Sequence, residues 1–284
     1  FYLCDSASGL RAADRLADLT GPLASPTARL VGRMAEGFAL VLGGRAGDGA
    51  DLIRTAMAQA PDARATQDQW RFRWALMGPM FLREAGEARA AMADAVRTVR
   101  SVAAVGMLPF LLTLIARDSA GSDGWADAEA GYVEAIRLAQ ETGHDTDLAL
   151  AHAGFAWLLA REGRAEESRH HGAEAERLGT LHSARLAIVW AAFGAADLEA
   201  ANRRPEAAKE SYQAVLDLLS QLGVTDPDLS PTPELVECFW QLGRPRYAVS
   251  IAEGYLAAAR AKGQPWALAR AHRALGVARG LGEG

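Results

Sequence analysis

The chain has 284 residues, half of them hydrophobic, and a net charge of −5; it holds ample material for a core, exceeds one compact domain, and carries the wrong sign for a surface that follows a phosphate backbone. Two cysteines, Cys4 and Cys238, exclude a disulfide scaffold and fit a reducing cytoplasm. No apolar run reaches the ~20 residues of a membrane span and no signal peptide opens the chain, so a cytoplasmic location is expected.

In chain order the apolar spacing is that of helices, and the punctuation between them recurs. A helix over LRAADRLADL follows a turn near residue 7, in DSASG, and the next turn is placed at Gly47. TQDQ, Thr66 to Gln69, makes a capping box for a helix that carries Arg71, Arg73 and Trp74. Pro79 and Pro109 are expected to kink, shorten or start their helices, with turns at Gly86 and Asp123. Asp145 and Asp147 read as N-cap residues of a helix beginning near Asp147. Turns follow at Gly163, Arg203 and Gly243; Pro205 and Pro245 come two residues after the last two, where a missing N–H costs nothing. A second set of glycines, Gly106, Gly143, Gly179, Gly223 and Gly263, reads as helix C-caps. GVTDPDLSPTP, from Gly223 to Pro233, is a loop.

From Gly47 to Gly243 the turn markers stand 37 to 40 residues apart. Five residues past them lie Leu52, Ala91, Ala128, Ser168, Ala208 and Ala248; nine past lie Ala56, Ala95, Tyr132, Gly172, Tyr212 and Ala252. Those two positions are one helical turn apart and share a face, and small residues there let each second helix lie close to its partner. One hairpin cannot bury its apolar stripe alone, whereas stacked neighbours can. The expected fold is therefore all-α, without strands: a single array over residues 1–284, a right-handed α–α superhelix of about six to seven helical hairpins with turns near 7, 47, 86, 123, 163, 203 and 243. Carried past both termini, the interval puts Phe1 at the close of a first helix and Gly284 at a turn. Both ends are thus expected to be cut mid-repeat and uncapped, exposing apolar surface that self-associates.

The adjacent histidines His170 and His171 raise the question of a metal site. Neighbours on a helix point ~100° apart and do not converge on one ion; a helical zinc pair needs histidines four residues apart, and here those positions hold Glu174 and Ala175. Surface pairs Glu166–His170 and Glu167–His171 are the expected arrangement. Gly-Lys followed by Ser or Thr occurs nowhere, and Cys238 sits between apolar neighbours as a structural thiol. No carboxylate pair, metal spacing or nucleophile motif points to an enzyme, and no metal or cofactor is expected. Five tryptophans fall on first helices, with arginines beside them. Tryptophan there serves either the core or a ligand platform. Arg73, Trp74, Trp157, Arg185, Trp190, Trp240, Trp266 and Arg270, with Arg71 and Arg273 nearby, are the candidate lining of a groove for an anionic or aromatic ligand or a partner segment.

Three segments carry a family resemblance: DLALAHAGFAWLLAREGRAEESRHHGAEAERLG, then PTPELVECFWQLGRPRYAVSIAEGYLAAARAKG, then QPWALARAHRALGVARGLGEG. Residues 143–281 resemble the tetratricopeptide-like region of large ATP-binding LuxR-type transcriptional regulators, a bacterial family related to the maltose-regulon activator. The order PELVE…GRP…A followed by G-x-PWALA is the most specific cue. The resemblance implies a central sensing array, flanked in that family by an ATPase module and a DNA-binding helix-turn-helix. This segment would take a small-molecule effector or partner protein on its concave face, touch neither nucleic acid nor membrane, and transfer no catalytic residue. The competing expectation is a free-standing tetratricopeptide-like scaffold that binds a partner protein or peptide.

Overall fold

The computed structural model describes residues 4–20, 25–58, 74, 77–78, 81–82, 93–97, 99–100, 105–121 and 124–280. Among them there is no strand. The helices are α1 (Ser6–Thr20), α2 (Pro26–Leu42), α3 (Ala46–Ala58), α4 (Leu108–Ala120, entered through a 3-10 turn at Val105–Met107), α5 (Trp125–Thr142), α6 (Asp145–Arg161), α7 (Ala165–Leu181), α8 (Arg185–Ala201), α9 (Pro205–Gln221), α10 (Thr232–Gln241), α11 (Pro245–Lys262) and α12 (Pro265–Gly280). They pack consecutively as hairpins α2–α3, α4–α5, α6–α7, α8–α9 and α10–α11. The expected turns at Gly86 and Asp123, the capping box at Thr66 to Gln69, Pro79, Ala91, Arg71 and Arg73 lie outside the described residues.

The interval of forty is written into the backbone. Gly163, Arg203 and Gly243 all take positive φ, at 77°, 56° and 70°. The residue after each returns its N–H to the carbonyl five back: Arg164 to Leu159, Arg204 to Glu199, Arg244 to Phe239. Pro205 and Pro245 open α9 and α11 as expected. The first hairpin corrects one expectation. Arg45 bonds back to Leu40 in the same pattern and Gly44 carries the positive φ of 88°, so the turn is at Gly44. Gly47 lies inside α3, with open space around it. Counting from Gly44, the residues five and nine on are Gly49 and Ile53, both buried, whereas Leu52 is half-buried.

The remaining seam positions behave as their size requires. Ala128, Ser168, Ala208, Ala248, Tyr132, Tyr212 and Ala252 are buried, and only Gly172 is half-buried. The Ser168 hydroxyl donates to the Ala156 carbonyl at 2.9 Å, so a polar seam residue is satisfied by the partner helix. Gly143, Gly223 and Gly263 end their helices with left-handed backbone. Gly179 does not: it lies within α7, held against Ile188, and Ser183 takes the left-handed position instead. Gly106 belongs to the 3-10 turn under His144, not to a C-cap. α6 begins at Asp145 with His144 as N-cap, and Asp147 is buried in its first turn.

First helices pack on one another, α4 on α6, α6 on α8 and α10 on α12, while successive second helices make no comparable contact. That asymmetry explains why α6 is buried almost all round and α7 on only a narrow stripe. α8 reaches α6 closely because Gly194 faces the Trp157 backbone, where a Cβ would stand 3.2 Å away.

The Gly223–Pro233 loop is pinned from several sides. Lys262 meets Asp226 at 2.5 Å and Asp228 at 2.7 Å, all three side chains buried. The Tyr255 hydroxyl donates to the Pro227 carbonyl at 2.9 Å. The far side of the loop meets the start of the chain: the Thr225 N–H donates to the Leu42 carbonyl at 2.8 Å, and α3 touches α11. Cys4 joins Leu42, Trp190 and Val224 in one apolar cluster.

Candidate functional site

Arg117, Trp157 and Asp197 occupy one register position, forty residues apart, on α4, α6 and α8. Because these first helices pack side by side, the three side chains meet. The Arg117 guanidinium lies 3.8 Å from the Trp190 ring centroid and 4.9 Å from that of Trp157. Arg161, one turn beyond Trp157, covers the same indole at 4.5 Å. Each such contact contributes on the order of 0.5–2 kcal/mol, more as water is excluded. Both tryptophans are buried, 9% and 7% exposed, so they serve the core and present their faces to arginine at once.

Asp197 anchors the other end of this ladder. It accepts from Trp157 Nε1 at 2.9 Å and from the Tyr212 hydroxyl at 2.5 Å, with Arg161 Nε at 3.5 Å. Burial pushes its carboxyl up to about 6, against the pull of those hydrogen bonds and of Arg161. The buried Trp190 Nε1 finds no hydrogen-bond partner among the described residues. Two guanidiniums, two indoles and one carboxylate thus form one column of cation–π contacts and hydrogen bonds across three first helices.

Of the groove residues expected from the sequence, the structure unites Trp157 and Trp190 and disperses the rest. Arg73 lies outside the described residues. Trp74 stacks on Phe38 at 5.5 Å, in the core beside Phe81. Arg185 starts α8, 3.8 Å from Asp5. Trp240 is half-buried at the end of α10, and Trp266 is 44% exposed at the start of α12. Arg270 is committed to the proline loop: it donates to the carbonyls of Asp228 (3.1 Å) and Ser230 (3.3 Å) and pairs with Glu234 at 3.2 Å. Arg273 pairs with Glu237 on the neighbouring first helix. No local feature of the sequence marks Arg117, Arg161 or Asp197, and Tyr212 is marked only as a seam position. The signal that finds them is the repeat itself, applied to first helices: position 117 recurs as 157 and 197.

The histidine pair resolves differently from the expected surface ion pairs. Glu166 binds Arg169 and Glu167 binds Arg164. His171 instead meets His152 of α6, Nδ1 to Nδ1 at 2.7 Å, with Phe155 against its ring. One ring must accept at an unprotonated Nδ1 the N–H of the other, so the contact holds only while at least one of the two is uncharged. Burial first, then the His171 charge, pushes His152 down to about 4, and burial lowers His171 as well. Among the described residues no group of three His, Cys, Asp or Glu side chains is placed to hold a metal ion, and no helix is long and apolar enough to cross a membrane. No protein-family model matches the chain, and no curated protein is significantly similar to it.

Proposed function

We propose that this chain is a ligand-sensing or partner-binding array of a bacterial transcriptional regulator of the ATP-binding LuxR type, working in the cytoplasm. Its hairpins coil as a right-handed α–α superhelix with the first helices on the concave side. An anionic or aromatic effector, or a partner's side chains of that chemistry, binds along α4, α6 and α8, and the packed first helices pass the change in curvature to flanking ATPase and DNA-binding modules. The single observation that supports this reading is the Arg117–Trp157–Asp197 column with Trp190 beside it. Stacked guanidiniums in a partly dry site are costly to maintain for packing alone, since an apolar side chain would fill the same volume.

A thermal-shift screen of anionic aromatic compounds on the chain tests the proposal. A ligand present at about a hundred times its Kd raises stability by roughly 2.7 kcal/mol. The gain is expected to vanish in Arg117→Gln and Trp190→Phe. A shift that survives both changes, or an empty screen, defeats the site. A ligand that binds without altering transcription by the full-length protein leaves the free-standing scaffold as the better reading.

A further inference from the structure

Because second helices do not pack on each other, α9 and the start of α11 leave a cleft between them of about 870 Å³. Lys209, Gln213 and Asp217 line one wall; Phe239, Arg244 and Tyr247 line the other. The repeat shows what this cleft lacks. Arg164 opens α7 from the same turn geometry and is held by Glu129 of α5 at 2.7 Å, by Glu167 at 2.6 Å and by Glu162 at 3.1 Å. Eighty residues on, at Arg244, those three positions hold Lys209, Tyr247 and Leu242. Arg204, in the hairpin between, keeps Glu199 at 3.4 Å; its counterpart beside Arg244 is Phe239. Glu166 and Glu206, three places after the turn, become Arg246. Every carboxylate that satisfies the equivalent arginines has been replaced by a cation or an apolar side chain.

Among the described residues neither Arg244 nor Arg246 makes an ion pair, and both are exposed. The acid whose carboxyl feels Arg244, Glu206, is bonded to Lys209. Phe239 and Tyr247 meet edge to face at 4.4 Å, with Tyr247 53% exposed. The cleft follows α9 for two turns from Lys209 to Asp217, about 12 Å, a length suited to a peptide rather than to a compact ion.

We propose that this cleft docks an acidic peptide segment of a partner protein. The partner's carboxylates take the places that Glu129 and Glu167 hold at Arg164, and an apolar side chain of the segment lies against Phe239 and Tyr247. Lys209 is held by Glu206, and the acids Glu210 and Asp217 lie on the α9 wall, so the two cations left to compensate are Arg244 and Arg246 at the turn; a basic or wholly apolar segment would cover both without compensating them, and the cleft selects against it. Asp217, which accepts from Gln213 at 3.2 Å, sets the polarity: the acids point toward the turn and away from it. This site is separate from the ladder on α4, α6 and α8 and stands or falls independently.

Fluorescence anisotropy with a labelled peptide of Glu, Leu and Phe tests this on the whole chain, against the same peptide with Lys for Glu and against inorganic phosphate as competitor. The Glu peptide is expected to bind, more weakly as salt rises. It should lose about tenfold in affinity in Arg244→Glu and in Tyr247→Ala, and lose nothing in Arg164→Ala, whose arginine is already paired. Equal binding of both peptides, no binding of the Glu peptide, or an equal loss in Arg164→Ala overturns the proposal. Displacement by phosphate at matched charge overturns the peptide assignment, and dimerisation that Arg244→Glu abolishes assigns the cleft to a second copy of the chain.

Discussion

His152 on α6 and Asp197 on α8 lie five residues beyond one repeat apart, little more than one helical turn, and they titrate in the same pH window with opposite effect. His152 binds its proton at about 4 when folded and at about 6.5 when unfolded, so its contribution to stability is lost as pH falls through that interval, about 2 kcal/mol between pH 7 and 5. Asp197 is the reverse: its carboxyl, pushed up to about 6, binds protons more readily in the fold than in the unfolded chain, so stability from this group rises as pH falls. The two slopes offset each other. Urea titrations at pH 7 and 5 should therefore find His152→Leu more stable at pH 5 relative to pH 7 than the parent is, and Asp197→Asn less so; unchanged slopes in both would remove the assignment. Trp157 and Trp190 were legible in the sequence because large aromatics on first helices announce themselves. Asp197 was not, because a lone acid in a helix reads as solvated until its donors, Trp157 and Tyr212, are brought beside it.

Hairpin turns show how far punctuation can be read and where it misleads. Gly163, Arg203 and Gly243 were placed correctly because each follows a clear apolar run and precedes a helix that starts within two residues. At Gly47 the spacing misleads, because four glycines crowd that stretch, Gly43, Gly44, Gly47 and Gly49, and only backbone geometry tells which one needs a positive φ. The two glycines should consequently respond in opposite ways to alanine. Gly44→Ala forces a left-handed residue and brings a Cβ to 2.6 Å from the Thr225 hydroxyl, so it should destabilise by about 1–2 kcal/mol. Gly47→Ala sits in open space on a helix and should stabilise by about 0.5–1 kcal/mol. Thermal melts of the two variants decide the matter. Cap glycines divide similarly: Gly143, Gly223 and Gly263 terminate helices, but Gly179 is small because Ile188 presses on it, a packing reason that spacing alone does not reveal.

At the scale of the whole molecule the run of hairpins was legible from the forty-residue interval, while the contact between its distant parts was not, since pairing of Thr225 with Leu42 leaves no periodic trace. The proline loop makes that contact, and Lys262 holds the loop. Lys262→Met leaves Asp226 and Asp228 buried without their cation and should cost about 3–5 kcal/mol in urea titration, whereas replacing all three together by apolar or amide side chains should cost much less. An equal loss in both variants would mean that the loop depends on volume rather than charge. Consecutively packed helices whose proline loop is bonded back to the end of α2 are tied together across a long stretch of sequence. Bending imposed along the first helices is expected to load the bond from the Thr225 amide to the Leu42 carbonyl. Deuterium uptake at that one amide is thus a gauge of strain across the entire chain, accelerating when a bound molecule opens the clasp and slowing when it draws it shut.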